Sequence, residues 1–495
     1  MKLLVPCVRL AICLVLLLAY ANGQAQEEKK TAYLSDELAP GHMRRDLGSL
    51  HQVILRTHQD PYFYTNQAEL HRAYQSTRKT CGTAMTRLEF AEQVAGYLNT
   101  LEDSHTYLQY RSLFQCYDAD TGRYLGVDVL ASDGKLYVRK DRDHLIPAGA
   151  ELLTINGAKA SFIFNEVSKF SVQEGRSLTG RTRITELLFI NFAGFYVPLG
   201  QHNTLTYKPF DKDTIIKVTH DALTREESKK YYKQHGEKKE IVSVDISQAD
   251  NMAVLHIPSF SSGKRRKYYR KLDKEFAKIR KSEVQNLLID LRRNTGGQSE
   301  RMETLFAYIS ADTICSPTNI IARQSDLSIE RYDKMVGAFA KWVFRTFGKH
   351  SEDIHNYMTM IDLPNGTSDT VYYTLGERVK SKKRFKGNVY LAIDGASGSA
   401  SANFAASFKL NHCGKIMGEP CLGPAGGTWG NPAPYALEKS EISVYISTIR
   451  FNNSNEFLRD KTAVTPDIPV LLTPKDLALD QDPIVEQLKA MNGKQ

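Results

Sequence analysis

Cysteine is scarce in this 495-residue chain, which contains seven. Cys7 and Cys13 fall in an N-terminal stretch that reads as a removable leader, leaving Cys81, Cys116, Cys315, Cys413 and Cys421. Five scattered thiols exclude a disulfide-built scaffold; one or two bridges remain open, with Cys413 and Cys421 the candidate pair. No Cys-x-x-Cys or His-Glu-x-x-His pattern occurs, so no metal site is indicated, and nothing calls for a cofactor. Internal repeats and low-complexity tracts are missing too, which excludes a repeat architecture. Long apolar runs are limited to one. Lys2 precedes the apolar segment Leu10 to Ala19, and small residues follow in Tyr20-Ala-Asn-Gly-Gln-Ala-Gln26. This is the pattern of a secretory signal peptide over residues 1–25, too short and too weakly flanked for a stable membrane span. Cleavage after Ala21, Gly23 or Ala25 fits, and neither Cys7 nor Cys13 is placed for a lipoprotein. The expected location is exported, periplasmic or extracellular.

The composition that remains is that of a soluble globular protein, 42% hydrophobic and 24% charged. The length predicts several folding units. Formal charge goes from +9 to +7 when Lys2 and Arg9 leave with the leader. Positive residues concentrate in Lys264-Arg-Arg-Lys267, Arg270, Lys271, Lys274, Lys278, Arg280 and Lys281, with Tyr269, Leu272, Phe276 and Ile279 at helical spacing. An amphipathic helix with a solvated basic face follows, and no nucleic-acid partner is expected.

Residues 33–118 alternate helical patterns with short loops and predict an N-terminal helical domain. Leu47, Leu50, Val53, Ile54 and His58 share one face, and Leu70, Tyr74, Phe90, Val94, Tyr97, Leu98 and Leu101 continue the pattern. The segment ends in Leu101-Glu-Asp-Ser-His-Thr-Tyr-Leu108. Residues 119–225 read as a β module and connecting segment, with strands around a Ser-Asp-Gly turn at 132–134 and an Asn-Gly turn at 156–157. Ile146 to Gly157 is similar to the stretch of PDZ domains that binds peptide C-termini by strand addition, so a PDZ-like module, binding or degenerate, is expected. A helix is predicted from Arg181 to Ala193, and Arg225 to Glu240 reads as an exposed polar linker. Residues 241–475 return to strand–helix alternation: strands at Met252–Ile257, Val284–Leu291, Gly387–Ile393, Lys415–Gly418 and Glu441–Ile449 predict an α/β layer core. Residues 322–385, rich in Phe, Tyr, Lys and containing Trp342, look like an insertion able to cap a cleft. Residues 476–495 read as a C-terminal tail.

One stretch carries a chemical signature. Asp394-Gly-Ala-Ser-Gly-Ser-Ala-Ser-Ala-Asn-Phe404 places small residues between a strand end and a helix start. Such a turn presents free N–H groups and the positive end of a helix dipole beside a hydroxyl. That is the requirement of acyl transfer by a serine nucleophile.

Four stretches in order then resemble the tail-specific (carboxyl-terminal processing) serine peptidases: Leu101-Glu-Asp-Ser-His-Thr106, Asp290-Leu-Arg-Arg-Asn-Thr-Gly-Gly297, Ser397-Gly-Ser-Ala-Ser401 and Val464-Thr-Pro-Asp-Ile-Pro-Val470. The resemblance covers roughly residues 40–475 and implies a multidomain α/β fold: a crotonase-like (αββ) peptidase core, the N-terminal helical domain and the PDZ-like module. It implies a serine endopeptidase acting on peptide or protein substrates, without metal or cofactor. Lysine-dependent members carry their base in a segment matched here by Gly418-Glu-Pro-Cys-Leu-Gly-Pro424, where Pro424 replaces it. The tricorn-core-like branch, of Ser–His type, is therefore the better match. By that resemblance Ser399 is the nucleophile, His105 the general base, Ser104 its neighbour and Asp460, with Glu456 as second choice, the supporting carboxylate. Ser397 and Ser401 become turn or cap residues. Oxyanion donors would be the Ala400 amide and Gly296 or Gly297, while Asp290, Arg292 and Asp467 read as structural. The competing expectation is a catalytically inactive protein of the same fold, binding an apolar ligand or a peptide.

Overall fold

The computed structural model describes residues 32–120, 122–235, 240–310, 319–335, 358, 360, 362–372, 381–453 and 461–492. The chain separates into two compact units. The first takes its residues from Met1–Cys116, Pro317–Thr374 and Trp429–Asn452; the second from Tyr117–Ser316, Leu375–Thr428 and Asn453–Gln495.

The first unit is founded on three helices. Pro40–Thr57 starts with proline in its first turn, where a missing N–H costs nothing, and buries Met43, Leu47, Leu50 and Ile54 along one stripe. Gln67–Thr80 and Arg87–Asn99 each begin with a reciprocal capping box, Asn66 with Glu69 and Thr86 with Glu89. Distant segments complete this unit. A three-stranded antiparallel sheet joins Ala433–Ala436, Ser443–Ile446 and Tyr107–Leu108. A four-stranded sheet runs Ser368–Tyr372, Asn319–Arg323, Ile449–Asn452 and Trp429–Gly430. The strand expected at Glu441–Ile449 thus belongs here and not to the core layer. The buried Asp46 carboxylate accepts the Lys439 and Ser440 amides (3.0 and 2.7 Å), and Arg87 donates to the Ser440 carbonyl. These bonds tie the 433–446 hairpin to the helices. Trp342 of the expected insertion lies outside the described residues.

The second unit contains a six-stranded sheet in the order Ser243–Ser247, Met252–His256, Asn286–Asp290, Asn388–Ile393, Lys415–Gly418, Ile468–Pro469. Its first pair is antiparallel and every other pair parallel. Alternate residues supply two apolar faces, as strand geometry requires. Ala253, Leu255, Leu287, Ile289, Leu391 and Ile393 pack with Tyr268, Leu272, Phe276 and Ile279 of the basic helix Arg265–Ser282 and with Phe404 and Phe408. On the other face Val254, Leu288, Tyr390, Ala392 and Met417 pack with Ile484 and Leu488. Those two residues belong to the helix Pro483–Asn492, so the stretch read as a tail completes the core.

The β module of this unit is a six-stranded antiparallel sheet, Val127–Ser132, Lys135–Asp141, Glu151–Ile155, His202–Lys208 and Ile216–Asp221 in order, with Ala158–Lys159 paired to Glu151–Ile155. Helices Ala160–Val167 and Leu178–Phe192 accompany it. Asn156 and Gly157 both take positive φ (48° and 85°), the geometry that an Asn-Gly hairpin turn needs. Residues expected as a linker form the helix Arg225–His235. Its N-terminus was marked by Thr224 and Glu227, which exchange capping hydrogen bonds. No disulfide joins Cys413 to Cys421, correcting the candidate bridge. Cys421 is buried with its Sγ donating to the Gly423 carbonyl (3.3 Å), and burial pushes its thiol up to about 12. Cys315 lies outside the described residues.

Candidate active site

Three parallel strands end on one side of the second unit's sheet, and two turns meet there. One turn follows Asp290 and runs to Gly297; the other follows Ile393 and runs into the helix Ala400–Leu410. Asp394 and Asn294 bind them together. Asp394 Oδ1 accepts the Arg293 amide (2.9 Å), the Ala396 amide (3.0 Å) and the Ser397 hydroxyl (3.2 Å). Burial raises the Asp394 carboxyl above its ordinary value; the Arg293 amide opposes this and the charge of Glu419 adds to it. The Asn294 carbonyl accepts the Gly398 amide (3.1 Å), and its side chain bonds the Ile257 carbonyl (2.8 Å) and the Gly296 amide (2.9 Å).

The three serines of the second turn are now distinguishable. Ser397 is fully buried and donates to the Leu291 carbonyl at 2.8 Å, a turn-holding role. Ser401 is equally buried and its Oγ has no hydrogen-bond partner among the described residues. Ser399 alone of the three is partly accessible, and its backbone sits at φ 52°, ψ −120°. A non-glycine residue there costs of order 1–3 kcal/mol and persists where the surroundings enforce it, commonly at functional sites. Directly after it the helix begins, and the Ala400 N–H has no acceptor among the described residues.

The glycine pair explains its own composition. A Cβ on Gly296 (φ 106°) would lie 2.6 Å from Ser399 Cβ and 2.9 Å from the Ala400 nitrogen. One on Gly297 (φ 138°) would collide with Phe260 and Ser261. Only glycine lets these backbones approach. Of the two amides, that of Gly296 is committed to Asn294 Oδ1, whereas Gly297 N–H has no acceptor among the described residues. Of the pair, Gly297 is the one whose amide stays uncommitted among the described residues.

Ser104 and His105 lie in the first unit. The His105 amide donates to Asp103 Oδ1 (2.8 Å), its Nδ1 is 3.8 Å from the same oxygen, and Ser104 Oγ lies 3.2 Å from Nδ1. Asp103 is buried; its other oxygen accepts Thr106 Oγ1 (2.6 Å) and His58 Nε2 (2.9 Å). His58 Nδ1 accepts the Asp60 amide (3.2 Å), which leaves the ring proton on Nε2, facing Asp103. Burial would raise the Asp103 carboxyl, but the His58 hydrogen bond and the electrostatic pull of the two neighbouring histidines outweigh it and hold it below the ordinary value. His58 also lies against Trp429, with ring centroids 4.7 Å apart.

Asp460 and Glu456 lie outside the described residues. Asp290 and Arg292 form a bidentate pair that Arg292 extends to Asp482, and Asp467 exchanges hydrogen bonds with Ile416; all are structural. Sequence reasoning missed Asn294, Asp394, Asp103 and His58. Asp103 had a local signal, since an aspartate two and three residues before an N–H and a threonine hydroxyl commonly closes a turn on them. His58 had none, because its partner is 45 residues away.

The peptidase family S41 model matches residues 251–470, which includes both turns. No curated protein matches the chain. In fold it is similar to a mutant of CPAF (TM-score 0.62, 13% identity, 92% of this chain and 97% of that one). It is likewise similar to mature CPAF complexed with lactacystin (TM-score 0.60, 14% identity, 92% and 98%). Residues 251–470 thus match the peptidase family S41 model, and the chain is a serine-type peptidase.

Proposed function

We propose that the protein is an exported endopeptidase that cleaves peptide bonds through an acyl-enzyme on Ser399. The observation that carries this reading is the Ser399 turn: a strained, accessible serine at a helix N-terminus, beside the uncommitted amides of Ala400 and Gly297. In the reaction His105 removes the Ser399 proton as Oγ attacks the scissile carbonyl. The oxyanion rests on the two amides, the protonated His105 returns its proton to the leaving amine, and water repeats the sequence to release the acyl group. Histidine titrates near neutrality without special tuning, which suits this role. Each amide donor is worth about 10²–10³ in rate. The six-stranded antiparallel module supports a PDZ-like role in holding extended peptide. The leader reading supports export, and no helix among the described residues is long and apolar enough to cross a membrane.

Fluorophosphonate labelling tests the reading. The purified protein is expected to label, and Ser399→Ala and His105→Ala are expected to lose the label while keeping the native circular dichroism spectrum. Undiminished labelling of Ser399→Ala would eliminate this nucleophile. A folded wild type that never labels would favour the inactive binding protein.

A further inference from the structure

The helix Arg265–Ser282 breaks the local rules of helix stability in its first turn and along its exposed face. Lys264, Arg265, Arg266 and Lys267 occupy its N-terminus, where the macrodipole disfavours cations. Its first turn holds no acidic residue, and Lys264 at the N-cap supplies no side-chain hydrogen bond. At about 100° per residue, Arg266, Arg270, Lys281, Lys274, Lys267 and Lys278 fall on one arc of about 120°, with Ala277 the single neutral residue among them. All seven are exposed. The buried residues Tyr268, Leu272, Glu275, Phe276 and Ile279 occupy the opposite arc.

Of the cations on this arc only Lys278 has a carboxylate partner among the described residues, and the remaining acidic neighbours pair off it. Glu275 pairs with Lys271 and Lys278, Asp273 with Lys383, Glu240 with Lys271 and Glu300 with Arg265. Arg266, Lys267, Arg270, Lys274 and Lys281 pair with no carboxylate among the described residues. Like charges four residues apart, such as Arg266, Arg270 and Lys274, repel. A solvated helix has no need of this arrangement, since interleaved glutamates would serve better. Sequences that violate local rules without structural gain do so at functional surfaces.

We propose that this face docks the protein on an anionic lipid surface. The row runs straight for about 22 Å on a rigid helix, matching a plane of phosphates. The arc carries no aromatic side chain on which a nucleobase could stack. The apolar side of the helix is already in the core, so it cannot insert among acyl chains. Attachment is therefore electrostatic and reversible, and it falls with salt as the charges are screened. It does not depend on the Ser399 reading, because the helix contributes nothing to that turn.

The test is co-sedimentation of the purified chain with phosphatidylglycerol/phosphatidylcholine vesicles and with pure phosphatidylcholine vesicles. Binding to the anionic vesicles is expected to exceed neutral binding by at least about tenfold at low salt and to lose most of that excess at high salt. A combined Arg266→Gln, Lys267→Gln, Arg270→Gln, Lys274→Gln and Lys281→Gln variant is expected to lose the excess. A charge-keeping variant, Arg266→Lys, Lys267→Arg, Arg270→Lys, Lys274→Arg and Lys281→Arg, is expected to retain it. Equal binding to both vesicle types, or full binding by the glutamine variant, overturns the proposal. Tighter binding to a duplex oligonucleotide than to anionic vesicles at the same salt also overturns it.

Discussion

At Gly296 the space for a side chain is already occupied by Ser399. Gly296→Ala must push Ser399, the proposed nucleophile, or the Ala400 amide aside, so we expect peptidase turnover to fall by about 10²-fold or more with the protein still folded. Steady-state hydrolysis of a peptide substrate beside a thermal melt would check this. Asn294→Ala removes the acceptor of the Gly296 amide and the donor to Ile257, leaving buried groups unpaired at about 1–3 kcal/mol each. His58→Phe would strip buried Asp103 of one partner while leaving the Thr106 and His105 bonds. If Asp103 sets the orientation of His105, turnover falls in His58→Phe and returns in large part in His58→Gln, whose amide can donate as Nε2–H does. A merely structural His58 would show a stability loss with an unchanged kcat per folded molecule.

At the scale of elements, the helix Pro483–Asn492 makes the clearest prediction. Leu488 is fully buried against the second face of the sheet, so Leu488→Ala should cost about 2–5 kcal/mol, read from urea unfolding. Ile484, Val485, Leu488 and Met491 stand at helical spacing, a signal that reading 476–495 as a tail left unused. The strands at 252–256, 286–290 and 388–393 were legible because a buried parallel strand is a short, wholly apolar run. The strand near 443–446 was legible as a strand but not by partner: pairing with Tyr107–Leu108 is set by a contact across more than 300 residues, which no local pattern encodes. The same limit applied to the site. The Ser399 turn, the glycine pair and His105 stand in compact local motifs, whereas the bonds from the Arg293 amide to Asp394 and from the Gly398 amide to Asn294 exist only once two turns are brought side by side.

For the molecule as a whole, buried carboxyls set the response to acid. Asp103, Asp141 and Asp290 are all held below their ordinary values: burial opposes this, while His58, His220 and Arg292 respectively outweigh it. Their contribution is complete above the unfolded value of about 4 and is lost as pH falls through the folded value. Asp394 and Glu186 are raised, chiefly by burial, so theirs is greatest when protonated and is lost as pH rises through the folded value. Asp290→Asn is therefore expected to lower stability near neutrality by roughly 1–3 kcal/mol and to flatten the acid limb. Urea midpoints measured as a function of pH for both proteins would display it; an unchanged acid limb would refute the assignment.

The closing helix at Pro483–Asn492 also has a consequence for the order in which the chain is made. Val254, Leu288, Tyr390 and Met417 have covering side chains, Ile484 and Leu488, that are made only after every strand they cover. During synthesis that face stays open until this helix has emerged, even though domains elsewhere can fold as they emerge. A ribosome stalled before Pro483 would hold a chain with its Ser399 turn already made and one side of its sheet bare. Any chaperone that reads exposed apolar surface would therefore find this protein for as long as the helix is missing, and lose it once the helix docks.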